Sequence, residues 1–252
     1  MSLNDFMLHP SARYLLGKVY QIPYGYSSLF SGSRVMISDI VDHTPMKIDL
    51  HIHSANSGDN PTDPEEVIIT AIERGFDGIA FTEHYFYGAS EGVEILREKY
   101  GNEIMIFRGV EFSAAEGHCL VFGTDTDRLS IKYAPVSDLV RIVNEHGGVV
   151  IPSHPYRGVN SVGDRVRDLE GLCAVEGYNG CNMHSFNAKA VDTAQALSLP
   201  FTGGSDAHAA GEIGSCYTEF RDRVTYENFI EVLKKGRYNG IDTRKVSRMW
   251  PF

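Results

Sequence analysis

Two histidines stand two residues apart in Asp49-Leu50-His51-Ile52-His53-Ser54, within an alternating apolar run that begins at Met46. Along a β-strand, residues i and i+2 face the same side. His51 and His53 can therefore present two imidazoles together at one strand end, an arrangement suited to a metal ion. The same chemistry recurs downstream. Apolar strands run into Glu83 and His84, into Glu111, into His154, and into Asp206 and His208; His118 opens another strand, and Asp59 lies in the loop after the first. A lone strand-end histidine is ordinarily structural or solvent-facing. Six of the ten histidines at such positions, with acidic residues between them, point to bound metal. The set holds no cysteine, and its imidazole and carboxylate donors suit zinc, manganese or iron. Its donors are too many for one ion. They suit two or three divalent ions, with a carboxylate shared between a pair.

The elements that must position these residues alternate along the chain. Strands are expected at 47–51, 78–82, 103–110, 118–122, 149–152, 172–176, 201–204 and 217–220. Helices are expected at 64–74, 93–100, 136–146, 188–197 and 226–235. The first helix carries its own signals: Asp63 as N-cap, Pro64 at the first position and Gly75 as its stop. Such alternation implies parallel βαβ units, and the length and strand count favour a closed β/α barrel over an open sheet. In such barrels the loops after the strands' C-terminal ends carry function, so one end would gather the set into a single pocket.

The 252 residues are 42% hydrophobic and 22% charged, enough for one sizeable globular core. A net charge of -10 argues against broad binding of long nucleic acid or of a membrane surface. No apolar run approaches the ~18 residues of a membrane span. The N-terminus has no basic stretch followed by an apolar one, so no secretory signal is expected. Cys119, Cys173, Cys181 and Cys216 show no Cys-x-x-Cys spacing and read as reduced thiols of a cytoplasmic protein. Residues 1–45, rich in tyrosine and weak in periodicity, read as an N-terminal extension packed on the barrel domain of residues 46–252, with a short helix near 12–19. Tyr24, Tyr26 and Phe30 would anchor it or cover a pocket mouth.

Taken in order, Asp49-Leu50-His51-Ile52-His53-Ser54, Thr82-Glu83-His84, Gly109-Val110-Glu111-Phe112, Ser153-His154-Pro155 and Ser205-Asp206-Ala207-His208 resemble the motifs of the polymerase and histidinol phosphatase (PHP) family. The likeness spans roughly residues 46–220. It implies a distorted seven-stranded β/α (TIM-like) barrel with up to three metals at the C-terminal ends of the strands. Carried over residue by residue, it makes His51, His53, Asp59, His84, Glu111, His118, His154, Asp206 and His208 metal ligands, with Glu111 bridging. Members are mainly metal-dependent phosphoesterases.

Arg157 directly follows His154-Pro155-Tyr156, and its guanidinium suits a substrate phosphate. Glu176 and Asn179 follow another strand end and are expected to line the substrate pocket, or else to cap a turn. His9, His43 and His146 read as non-ligands, and His184 as solvent-exposed. Glu83 should point away from the ligands. The favoured expectation is an enzyme hydrolysing a small phosphate ester, nucleotide or histidinol-phosphate-like, with a metal-activated hydroxide. Asp206 and His208 would assist the leaving group. Alternatives are an exonuclease on short oligonucleotides, a non-catalytic metal-bound interaction module, and hydrolysis of a C–N bond.

Overall fold

The computed structural model describes residues 44–245 except Ser130. The expected N-terminal extension, its helix and its aromatic anchors, and His9 and His43, fall outside these residues. Strand β1 (Met46–Ile52) lies inside a curled seven-stranded sheet. With β2 (Gly78–Phe81), β3 (Met105–Ser113), β4 (His118–Phe122), β5 (Val149–Pro152), β8 (Cys216–Phe220) and β9 (Tyr238–Asp242), the order is β5-β4-β3-β2-β1-β8-β9. Strands β6 (Val175–Asn179) and β7 (Phe201–Gly204) pair in parallel as a separate two-stranded sheet.

Two features depart from an all-parallel closed barrel. β1, β2 and β3 run parallel, but β3–β4, β4–β5, β1–β8 and β8–β9 are antiparallel. The turn between β3 and β4 is too short for a crossover helix, which dictates antiparallel pairing there. Among the described residues the strands form a curled sheet plus a pair, not one closed hydrogen-bonded ring. The pair is tied to β1 by a bridge from Ile52 to Ala207 and by the His51 carbonyl, which accepts from the Asp206 amide at 2.7 Å.

Each strand of the sheet's centre is buried on both faces. Ile48 and Leu50 enter one core cluster and Ile52 another, while Asp49, His51 and His53 share the opposite face. Among the described residues five α-helices flank the strands: α1 (Pro64–Glu73), α2 (Val93–Tyr100), α3 (Val136–Glu145), α4 (His184–Ala196) and α5 (Phe229–Lys235). α1 starts as its sequence dictates, with the Asp63 carboxylate accepting from the Glu65 amide at 2.7 Å. α3 buries Val136, Leu139, Val140 and Val143, the i, i+3, i+4, i+7 stripe of an amphipathic helix. No helix among the described residues is long and apolar enough to cross a membrane.

Candidate metal centre

The C-terminal ends of β1, β2, β3 and β5, the start of β4 and the loop after β7 converge on one cluster. Glu111 stands at its middle, fully buried on β3. Its Oε1 lies 2.7 Å from His154 Nε2, 3.3 Å from His118 Nδ1 and 3.4 Å from His51 Nε2. Its Oε2 lies 3.0 Å from His84 Nδ1 and 3.4 Å from His53 Nε2. One carboxylate thus faces five imidazoles. Asp206 Oδ1 closes the other side, 3.4 Å from both His51 Nε2 and His53 Nε2. Asp59 Oδ2 lies 3.0 Å from His84 Nε2 and 3.1 Å from His208 Nε2 at the solvent side.

Three groups of donor atoms fall within coordinating reach of one another: His51, His53, Glu111 and Asp206; His84, Glu111 and His118; and His53, His84 and His208. All nine residues expected as ligands are therefore brought together, His154 through Glu111 and Asp59 through His84 and His208. The donor set fits divalent cations. It is made of imidazoles and carboxylates; His154 Nδ1 is buried without a hydrogen-bond partner, and His84 Nδ1, although 3.0 Å from Glu111 Oε2, is buried without a well-aligned hydrogen bond. Buried polar atoms are rarely left so. His154 and Asp206 also sit at φ of +31° and +53°, a backbone conformation that side chains rarely adopt and that tends to persist at functional sites.

Electrostatics follow from this packing. Burial alone would lower the His51 imidazole, but the carboxylates of Asp206, Glu176 and Glu111 outweigh it and hold it well above its ordinary value. His53 is likewise opposed by burial, yet hydrogen bonds to Asp206 and Glu111 lift it to about 9. Burial would raise the Glu111 carboxyl; the imidazoles of His51 and His154 instead hold it well below the usual range. Asp206 is held well below as well, where His51 and His53 overcome its burial.

Around these groups a further layer fixes which ring nitrogen faces inward. His51 Nδ1 donates to Glu176 Oε1 at 2.8 Å, leaving Nε2 for the cluster. His53 Nδ1 donates to Ser57 Oγ at 3.0 Å, and Ser57 Oγ donates onward to Glu83 Oε2. Ser57 also accepts from the His84 amide at 3.1 Å, so one hydroxyl joins two candidate ligands. Glu83 does point away from the cluster; it is fully buried and also accepts from the Ser54 amide and hydroxyl. Asp49 stitches β1 to the loops beyond, accepting from the Ser205 and Gly214 amides at 2.9 Å. Burial pushes its carboxyl up to about 6.

The residues expected to bind substrate divide. Arg157 lines the cleft, pairs with Asp206, and donates from Nη2 to Asn179 Oδ1 at 2.9 Å and from Nε to Asn182 Oδ1 at 3.0 Å. Glu176 and Asn179 are buried, and neither lines the cleft. Glu176 accepts from His51, from the His154 amide at 2.6 Å and from Asn179 at 3.0 Å. Asn179 donates to Asp206 at 3.1 Å. Both support the ligands from behind. Sequence singles out neither Ser57 nor Asn182, because nothing local marks either one. His146 is exposed at the end of α3, its Nδ1 meeting the Ile142 carbonyl at 2.8 Å, and His184 is exposed at the start of α4.

The cleft above the cluster has a volume of about 710 Å³. Its walls are the turn between β3 and β4, the segment after His154, and Tyr85 and Tyr133.

Comparison with known proteins places this geometry. Residues 184–238 match a family described as PHP-associated. No curated protein matches the sequence. Among solved structures, PsfC from Pseudomonas syringae superposes with a TM-score of 0.61 at 19% identity, over 80% of this chain and 93% of that one. A Bifidobacterium adolescentis protein, provisionally named a metal-dependent phosphoesterase, gives 0.55 at 18%, over 75% and 96%. An amidohydrolase from Chromobacterium violaceum, solved with sulfate and without metal, gives 0.55 at 18%, over 76% and 96%. At such identities the likeness establishes the fold.

Proposed function

From the premise that the chain is a PHP-family protein, carried by its ordered motifs and the PHP-associated match, we propose that it is a metal-dependent phosphoesterase acting on a small phosphate ester. The observation that carries the reading is Glu111, whose two carboxylate oxygens face two overlapping donor groups. A buried carboxylate so placed suits a bridge between two cations. His51, His53 and Asp206 would hold one ion with it; His118 and His154 a second; Asp59, His84 and His208 a third. Zinc, manganese and iron fit these donors.

Divalent ions held there supply Lewis acidity: they lower the pKa of water and neutralise phosphoryl charge. The chain's own residues do the rest. Glu176 and the Ser57–Glu83 pair keep His51 and His53 in the tautomer that aims Nε2 inward. Arg157, steadied by Asp206, Asn179 and Asn182, offers its remaining Nη1 edge to a phosphoryl oxygen. A P–O bond forms to the oxygen of water, the ester P–O bond breaks, and the leaving alkoxide takes a proton. Where only the first two ions are held, His208, partly exposed beside the cleft with Nε2 not engaged in ligation, is placed to deliver it.

The test is turnover of an aryl phosphate by protein reconstituted with zinc, manganese or iron, beside a chelated control and a His51→Ala/His53→Ala variant. Metal-dependent turnover lost in the variant supports the reading. Bound ions with no turnover of any phosphate ester would overturn it, and would turn attention to oligonucleotides and to C–N bonds.

A further inference from the structure

Among the described residues that line the cleft, Arg157 is the only lysine or arginine. What aims its guanidinium therefore decides whether a phosphoryl oxygen meets a positive charge from the chain itself. Two of its partners sit in one turn, residues 179–182, at the end of β6. Arg157 Nε donates to Asn182 Oδ1 at 3.0 Å, and Nη2 donates to Asn179 Oδ1 at 2.9 Å. Gly180 presses this turn onto the loop after β7. A side chain there would collide with Ser215 and the Ser205 carbonyl, and the Gly180 amide donates to the Gly204 carbonyl at 3.0 Å.

Two groups that hydrogen-bond neither Arg157 nor any candidate ligand hold the turn from behind. Asn187, in the first turn of α4, is 2% exposed. Its Oδ1 accepts from the Asn179 amide at 3.2 Å and from Asn182 Nδ2 at 3.0 Å, and its Nδ2 donates to the Asn179 carbonyl at 3.0 Å. One carboxamide thus closes both ends of the turn. A buried amide is costly unless it is hydrogen-bonded, and this one spends its bonds almost wholly on the turn. Arg244, just past β9, is the second group. Asp242 grips it as a bidentate pair, Nε to Oδ1 at 2.9 Å and Nη2 to Oδ2 at 2.5 Å. The remaining Nη1 donates to the Gly180 carbonyl at 2.7 Å and to the Asn182 carbonyl at 2.6 Å. Asp242 Oδ2 also lies 3.5 Å from Asn187 Nδ2, so the two supports are joined.

Resting on the phosphoesterase reading, we infer that Asn187 and Arg244 are positioning residues for Arg157. They fix the 179–182 turn, the turn fixes Asn179 and Asn182, and these orient the guanidinium so that Nη1 is left for the phosphoryl group. Nε and Nη2 are both bonded to the turn, so a shift of the turn rotates the planar fork as a unit. Neither residue contacts substrate, and the effect of each on turnover passes through Arg157.

The experiment uses the zinc-loaded full chain and the variants Asn187→Leu and Arg244→Met, alone and combined with Arg157→Met. Each single variant is expected to lower kcat/KM for an aryl phosphate by roughly 10–10²-fold, the size of loss that a small misplacement at a reacting centre produces. Zinc content stays at the parent level. On the Arg157→Met background the same changes cost less than about twofold, because the group they aim is already gone. A readout that needs no turnover is the Nε–H signal of Arg157 in proton–nitrogen NMR spectra, identified by its disappearance in Arg157→Lys. In the parent it is sharp and slow to exchange with water, and the Nη protons are resolved. In both variants it broadens and the Nη protons average. Losses that multiply fully with that of Arg157→Met, or an Nε–H signal unchanged in the variants, would overturn the positioning role. If Asn187→Leu does not fold, Arg244→Met decides, since its side chain is partly exposed. Absence of turnover of every ester by the parent would overturn the phosphoesterase reading instead, and the Nε–H signal would still decide the positioning.

Discussion

Glu176→Gln separates a supporting role for this buried carboxylate from the substrate-contacting role expected of it from sequence. Glu176 receives three donors: His51 Nδ1 at 2.8 Å, the His154 amide at 2.6 Å and Asn179 Nδ2 at 3.0 Å. A glutamine of the same shape has one acceptor oxygen and one NH2 group. If the NH2 faces His51, the imidazole must take the opposite tautomer, and its Nε2 carries the proton that ligation must remove. If it faces His154, a buried backbone N–H loses its acceptor, at a cost of about 1–3 kcal/mol. Either way a partner that orients a metal-ligating histidine is lost, which typically weakens metal affinity by roughly 10–100-fold. That range corresponds to ~1.4–2.8 kcal/mol. The assay is metal competition against a chelator of known affinity, with KM for a phosphate ester measured in excess metal. Affinity within about threefold of the parent, together with a raised KM, would refute the argument and return Glu176 to the substrate.

Four further outcomes are expected. Because the His53 imidazole is lifted to about 9 and must be neutral to ligate, metal affinity rises with pH up to about 9, and binding near neutral pH releases protons, seen as a heat that depends on the buffer; an affinity flat across that window contradicts the assignment. Gly204→Ala would place a Cβ 2.4 Å from His51 Cβ and 3.0 Å from the His51 amide nitrogen, so β7 must move off β1, with a stability loss of about 1–3 kcal/mol and reduced metal content by melting and elemental analysis. Arg157→Met lowers kcat/KM by roughly 10²–10³ with metal retained, and Arg157→Lys does not restore it, since a lysine cannot reproduce the planar fork. Glu83→Gln weakens metal binding through Ser57 with little effect on KM in excess metal, whereas loss of folding shows as a lowered melting temperature of the metal-free protein.

Which residues meet at the centre is legible because strand periodicity is a local property. His51 and His53 share a face by their spacing, and His154 follows the buried apolar run Val149, Val150 and Ile151. Helix α1 is equally legible, because Asp63, Pro64 and Gly75 each act within one turn. Strand direction is not local. β4, β5, β8 and β9 each pair antiparallel with a neighbour, because of turn lengths and pairing partners far along the chain. β9 itself escapes notice: Tyr-Asn-Gly-Ile-Asp has little strand character and owes its place to pairing with β8. β6 is shifted to Val175–Asn179 from the expected 172–176, which is why Glu176 lies within the strand and Asn179 at its end. α4 begins at His184, four residues before the expected start, with no side-chain cap to announce it.

Sequence spacing decides which imidazoles meet, but not which nitrogen each presents. That choice belongs to partners remote in the chain: Glu176 lies 125 positions from His51, and Glu83 lies 26 positions from the serine that joins it to His53. Glu83 illustrates the point best. Strand alternation correctly turns it away from the ligands next to it, and so suggests no role. The fold then wraps the Ser54–Ser57 loop over it, and the residue facing away becomes the acceptor that orients the first strand's second histidine. A carboxylate just past the end of its own strand, turned away from the ligands, can therefore serve the metal centre through a loop of another, and only the packing of β1 against β2 brings the two together.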